Sequence, residues 1–165
     1  MTDWLPDGWA PFVVAGIGAV ILAATGGLLT DLGDWYVNLR QPAWKPPDWA
    51  FGPAWTIIFA CAAASAGLAW NAAAGGTTRG YIVALFIANA LLNMLWSLLF
   101  FRLHRPDWAL VEVVFLWASI VALIVWVGPL STPAGWLLMP YLVWVSFAAT
   151  INWSVWRLNP VGTVV

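Results

Sequence analysis

WALVEVVFLWASIVALIVWV, residues 108–127, is the stretch that decides the fold. It holds 20 residues and a single ionisable side chain, Glu112. Crossing the hydrocarbon core of a bilayer takes about 20 mostly apolar residues in a helix. The run is apolar throughout, without the in–out alternation of a membrane barrel strand. An open sheet edge is excluded in lipid, because its backbone groups would find no partner. The stretch therefore predicts a transmembrane helix.

Four further runs meet the same criterion, at residues 9–29, 53–70, 81–101 and 133–156. The expected architecture is an all-α membrane protein, one integral membrane domain over residues 1–165, built as a bundle of five transmembrane helices. Pro53 and Pro133 suit first helical turns, with Ser131 and Thr132 as caps, and Pro160 ends the last helix. Composition agrees, since 63% of residues are hydrophobic and only 8% charged. A soluble domain carries about 25% charged residues. The net charge of -1 gives no basis for a nucleic-acid partner. With one cysteine, Cys61, and one histidine, His104, there is neither an intrachain disulfide nor a Cys/His metal centre to expect. The acidic start, MTDWLPDGW, lacks the positive region of a secretory signal, which predicts that the first run is kept as a helix.

Cations set the expected orientation. Arg40, Lys45, Arg102, Arg105 and Arg157 fall on one side of a five-span model, and Arg79 alone on the other. The positive-inside rule then puts the N-terminus outside and the C-terminus in the cytoplasm. No internal repeat of the kind found in inverted-repeat transporters is visible. Small residues recur at Ala15, Ala19, Ala23 and Gly27, a stripe suited to close helix packing within the bundle or to a homodimer seam.

Polar residues inside the spans need partners. Asn89, Asn93 and Trp96 share one face of the third span, and Trp144, Ala148, Asn152 and Trp156 one face of the fifth. The asparagines either lock the bundle through hydrogen bonds or anchor a ligand in an aromatic cavity, and the two roles are compatible. Glu112, near the start of its span, is expected to snorkel to interfacial water. Of the 15 tryptophans, Trp4, Trp9, Trp70, Trp108 and Trp136 suit interfacial belts. Trp117, Trp126 and Trp144 lie deeper, where each indole N–H requires an acceptor.

The long connection, residues 30–52, is rich in tryptophan and proline. Its prolines make it stiff and its indoles give it an apolar underside, so it is expected to cap the bundle mouth as a lid. Arg40 and Lys45 would then stand at the rim, placed to meet the carboxylates of an amphipathic ligand.

Three motifs carry a family resemblance. WYxxLxxPxWxPPxWxFxPxW at 35–55, NxLWSxLFF at 93–101 and PYLxWxxFAxxxN at 140–152 resemble the tryptophan-rich sensory protein family, whose animal relatives are called translocator protein or peripheral benzodiazepine receptor. The family commonly has Lys before the first loop proline, where this chain has Gln41, with Arg40 one step earlier. The resemblance implies a five-helix bundle with a pocket facing the first loop. It also implies binding of porphyrins such as protoporphyrin IX and haem, and of aromatic drug-like ligands, with no obligatory cofactor and no metal. By motif position the pocket residues would be Tyr36, Pro42, Trp55, Phe59, Asn93, Trp96, Trp144, Ala148 and Asn152. Some bacterial members degrade protoporphyrin in light with two tryptophans that match Trp55 and Trp144, so these two become catalytic candidates if the chain is an enzyme. A porphyrin is an apolar plate with two propionates, which suits indole faces and a cationic rim. Transport of porphyrin or lipid, and a purely structural membrane role, remain alternatives. A sterol pattern can be drawn through Leu32, Tyr36 and Arg40, but such patterns are weak and the loop already accounts for these residues.

Overall fold

The computed structural model describes residues 8–160, and these fold as helices joined by short turns. Five helices are long and apolar enough to cross a membrane. Helix α1 is Ala10–Leu29, α2 is the single-turn Asp34–Asn38, and α3 is Phe51–Ala72, entered through a 3₁₀ turn at Asp48–Ala50. Helix α4 is Gly76–Ser97 and runs on into a π-helical turn, Leu98–Arg102. Helices α5, Pro106–Val127, α6, Thr132–Leu137, and α7, Met139–Leu158, complete the bundle. Trp4, expected in an interfacial belt, lies outside the described residues.

The predicted fifth span is two helices. The chain turns at Leu138, and Pro140 is the second residue of α7. Proline has no N–H to donate to the preceding turn, so the backbone bends there. Ser131 caps α6, its hydroxyl accepting from the Ala134 N–H, and α7 stops two residues before Pro160. The 30–52 connection is more ordered than a plain loop, since it contains α2 and the 3₁₀ turn.

Around the bundle, α1 packs on α3 and more sparsely on α4, α4 packs on α5, and α5 on α7, while α6 closes against α3. The core centres on α5, whose Ala109, Val113, Leu116, Ile120, Leu123 and Val127 are all buried. Helix α1 has no buried residue. Its outward face meets lipid, and one tight contact with the bundle is the Phe12 ring lying on Gly67 of α3. The intramembrane asparagines act as interhelical ties. Asn89 Nδ2 donates to the Ser119 hydroxyl of α5 at 2.8 Å, and Asn93 Nδ2 donates to the Tyr141 hydroxyl of α7 at 3.1 Å. Asn152, 1% exposed, donates its amide N–H to the Pro106 carbonyl and accepts from the Leu110 N–H, both at 3.1 Å, clamping the first turn of α5 to α7.

Candidate functional site

The loop lies across the end of the bundle formed by the end of α4, the start of α5 and the end of α7. Leu39 drives it there, burying its side chain among Phe100, Ala109, Ile151 and Val155. Next to it, Asn159 clasps the chain: Arg40 N–H donates to Asn159 Oδ1, and Asn159 Nδ2 donates to the Arg40 carbonyl, each at 2.9 Å. This two-bond clasp joins residues 119 positions apart. Trp35 stacks on His104 at 4.3 Å and meets the edge of Phe100 at 5.8 Å, pinning α2 to the α4–α5 turn.

A latch closes the second half of the loop. Tyr36 donates its hydroxyl to Asp48 at 2.7 Å and accepts from Lys45 Nζ at 2.8 Å, and Lys45 also pairs with Asp48. Lys45 is turned inward, its side chain 11% exposed, with the ammonium 5.2 Å from the Tyr36 ring centre and 5.5 Å from that of Phe51. Burial disfavours the charge on Lys45, but its bonds to Asp48 and Tyr36 outweigh that, and its pKa is raised. Burial also raises the Tyr36 pKa, against the opposing pull of Lys45. Both groups hold their protons more tightly when the latch is closed, so its contribution is full below the ordinary lysine and tyrosine ranges and is lost as pH rises through the raised values. Limited proteolysis within residues 39–47 is therefore expected to be constant between about pH 6 and 9 and to accelerate above about pH 10. Acceleration that begins near neutrality would contradict the latch.

Beneath the loop the wall is aromatic. Trp96 stacks on Phe100 at 5.2 Å and meets Phe101 edge-on at 6.0 Å. Phe51 meets Trp144 edge-on at 5.5 Å, and Trp44 of the loop reaches Phe147 at 5.8 Å. Trp55 stacks on Phe59 at 5.2 Å and approaches Tyr141 at 6.0 Å. The π turn contributes directly, because its wider winding, with Leu103 N–H bonded to the Leu98 carbonyl, lets Trp96 meet both Phe100 and Phe101. The Trp144 indole N–H is buried with no acceptor among the described residues.

Of the residues expected at the site, Tyr36, Lys45, Trp96, Ala148 and Asn152 line one cavity under the loop, of about 50 Å³. Trp55 and Trp144 each pack against one core cluster that holds Phe59 and Tyr141, and Asn93 reaches that cluster through Tyr141. Phe59 also borders a larger cavity between α1, α3 and α4. Arg40 points outward and lines neither cavity, and Pro42 is half-buried in the loop. The small cavity is further lined by Gln41, Phe51, Phe100, Phe101, Ile151 and Val155. Phe51, Phe100 and Phe101 were visible within the quoted motifs, whereas the Asn159 clasp had no local signal beyond an asparagine before Pro160.

The family model for the TspO/MBR family matches residues 12–157, nearly the whole of this architecture. The chain belongs to the TspO/MBR family. It is 33% identical over 149 residues to Protein CrtK of Rhodobacter capsulatus, covering 90% of this chain and 92% of that one. It is 39% identical over 130 residues to the tryptophan-rich protein TspO of Chlorobaculum tepidum, covering 76% and 80%. The human translocator protein is 33% identical over 126 residues, covering 76% and 75%.

One expectation for this TspO/MBR protein is overturned. Glu112 does not snorkel to the interface. Helix α5 begins at Pro106, so Glu112 lies nearly two turns inside it; it is 5% exposed, and neither carboxyl oxygen has a hydrogen-bond partner among the described residues. The other deep indoles divide. Trp117 donates to the Ser146 hydroxyl at 2.9 Å, while Trp126 is exposed beside Tyr81 at the far end of the bundle.

Proposed function

We propose that this multi-pass membrane protein binds a flat amphipathic tetrapyrrole, protoporphyrin IX or haem, between the loop and the aromatic wall formed by Phe51, Trp55, Trp96 and Trp144. The observation that carries the reading is the wall itself: indole and phenyl faces gathered under a cation-bearing cover, with the Trp144 N–H lacking an acceptor. A porphyrin offers apolar faces to the rings and propionates to the Lys45 ammonium, which could exchange Asp48 for a ligand carboxylate. Sites for ligands of this kind run to about 300–1,000 Å³, far more than the 50 Å³ beneath the closed loop. Binding therefore requires the loop to lift, and its polar fastenings, among them the Tyr36–Lys45–Asp48 latch, the Asn159 clasp and the Arg102–Asp31 pair, are what must open. The cation-rich loop end is assigned to the cytoplasm and the N-terminus to the opposite side.

The test is a protoporphyrin titration in the dark, read by quenching of tryptophan fluorescence. Trp144→Ala removes one indole face and is expected to weaken binding about tenfold, the value of about 1.4 kcal/mol of lost stacking and burial. Unchanged affinity in both Trp144→Ala and Trp55→Ala would refute this site.

A second reading, light-driven breakdown of protoporphyrin by oxygen, is favoured by one observation: Trp55 and Trp144 share a cluster that includes the Tyr141 phenol, so an oxidised indole would have electron-rich neighbours. Illuminating the complex in air and following a new absorbing product tests it. Equal product from wild type, Trp55→Phe and Trp144→Phe would remove the tryptophan mechanism. Haem scavenging, sensing and transport all begin with the same binding step, and saturable flux into liposomes would mark transport.

A further inference from the structure

A second cavity, of about 640 Å³, lies between α1, α3 and α4 and runs from Trp70 and Asn71 at the end away from the loop to Phe59 and Tyr141 near the middle of the bundle. It exists because small residues face each other there. Ala15, Gly18 and Ala19 of α1 oppose Ala62, Ala63 and Ala66 of α3, and α1 stands away from α4. Its lining is mostly apolar, with Asn71, Asn89 and Tyr141 the polar members, and its volume is in the range of a lipid or drug-sized ligand. The opening is lateral: Val14 of α1 and Val83 and Ile87 of α4 line the cavity and are exposed on the bundle surface that meets hydrocarbon. An occupant therefore enters from the bilayer.

Arg79 does not line the cavity but lies beside its far end, next to the lining residue Trp70. It sits in the first turn of α4, and its helical position is centred on the stripe formed by Val83, Phe86 and Ala90, which line the cavity. Its guanidinium lies 5.1 Å from the ring of Trp70, another lining residue. The Arg79 Nε is buried with no acceptor, and the side chain makes no ion pair among the described residues. It is also the one cation at this end of the bundle among the described residues, the other five lying at the loop end. A mostly apolar slot open to lipid, beside a guanidinium whose Nε has no acceptor among the described residues, matches one chemistry: an acyl chain attached to an anion.

We propose that this cavity is a lipid site, opening on the bilayer toward the end away from the loop, which takes one acyl chain of an anionic phospholipid while Arg79 holds its phosphate. Guanidinium pairs with phosphate through two parallel hydrogen bonds, and a headgroup phosphate lies at the depth of the first turn of α4. Neutral lipids supply the same chain without net negative charge, so the site prefers an anionic headgroup.

Native mass spectrometry of the full chain in detergent tests this, with phosphatidylglycerol, phosphatidylcholine of the same chains, and oleate added separately. Wild type is expected to retain one phosphatidylglycerol per chain at concentrations where phosphatidylcholine is lost. Arg79→Gln should weaken retention about tenfold and abolish the headgroup preference, and Arg79→Lys should keep the preference. Ala63→Phe, which fills the slot from α3, should abolish retention while Arg79 is intact; should that variant fail to fold, the two Arg79 variants decide alone. Equal retention of both phospholipids by wild type, or full retention by Arg79→Gln, would overturn the proposal. Retention of oleate without phosphatidylglycerol would also overturn it, as would one-for-one displacement of the lipid by protoporphyrin, which would merge the two sites.

Discussion

Gly67→Val is expected to loosen α1 and lower stability by about 1–3 kcal/mol, the usual penalty for forcing extra carbon into a packed contact. A Cβ at Gly67 would overlap Phe12 Cδ1 and lie 2.6 Å from Cγ and 2.7 Å from Cε1. Flipping the ring about χ2 leaves Cγ in place and clears nothing, so Phe12 must change χ1 and give up its seat on α3, or α1 must shift. Little would pull it back. Helix α1 buries no residue, and lipid solvates its apolar surface as well as the bundle does. The remaining fastenings are the Asn71 amide donating to the Gly8 carbonyl at 2.9 Å and the Arg102 guanidinium bonding to the Leu28 carbonyl and Asp31. Unfolding in detergent titrated with a denaturing surfactant measures the effect. Gly67→Ala should fall between wild type and Gly67→Val, and trimming Phe12 to Leu in the Gly67→Ala background should recover part of the loss. Wild-type stability in Gly67→Val would show that the helix contact is not set by this ring.

Glu112→Leu is expected to act in the opposite direction and raise stability, by about 1–4 kcal/mol, as when buried ionic groups give way to well-packed apolar ones. The carboxyl is taken out of water and given no donor in exchange, and a buried polar group without a hydrogen bond is a net cost. Leucine has a similar volume and asks for no partner. Glu112→Gln, which keeps the polarity and the shape, should recover less. The same unfolding assay applies, without added ligand. Destabilisation of Glu112→Leu by more than about 1 kcal/mol would mean that the carboxyl is satisfied by an ion or ligand that travels with the purified protein. An ionisable group inside a membrane span is a candidate for function, so both variants belong in the porphyrin titration as well.

Proline and tryptophan density led to the expectation of a stiff cover with an apolar underside; of this, the structure shows the ring contacts, with Trp35, Tyr36 and Trp44 beside Phe100, Phe101 and Phe147. The separate fates of the loop's two cations were not legible. Arg40 and Lys45 look equivalent in sequence, yet the Asn159 clasp holds Arg40 by its backbone and leaves its side chain outside, whereas Asp48 and Tyr36 draw Lys45 in. Both outcomes depend on partners that only a folded chain brings together. The asparagines divide in the same way. Their need for hydrogen bonds followed from their place in apolar spans, but the choice of Ser119, Tyr141 and the first turn of α5 as partners is a matter of helix register.

Sequence alone determined that this chain crosses a membrane five times as helices and which end gathers its cations, because backbone satisfaction in lipid and the length of an apolar run are local requirements. Tertiary structure decided where space remains: nearly none beneath the aromatic cover, and a large slot between α1, α3 and α4. Void volume is the residue of how neighbouring helices meet. It depends on whether a side chain such as Phe12 finds a glycine opposite or small residues face each other with nothing between, and no single segment carries that information.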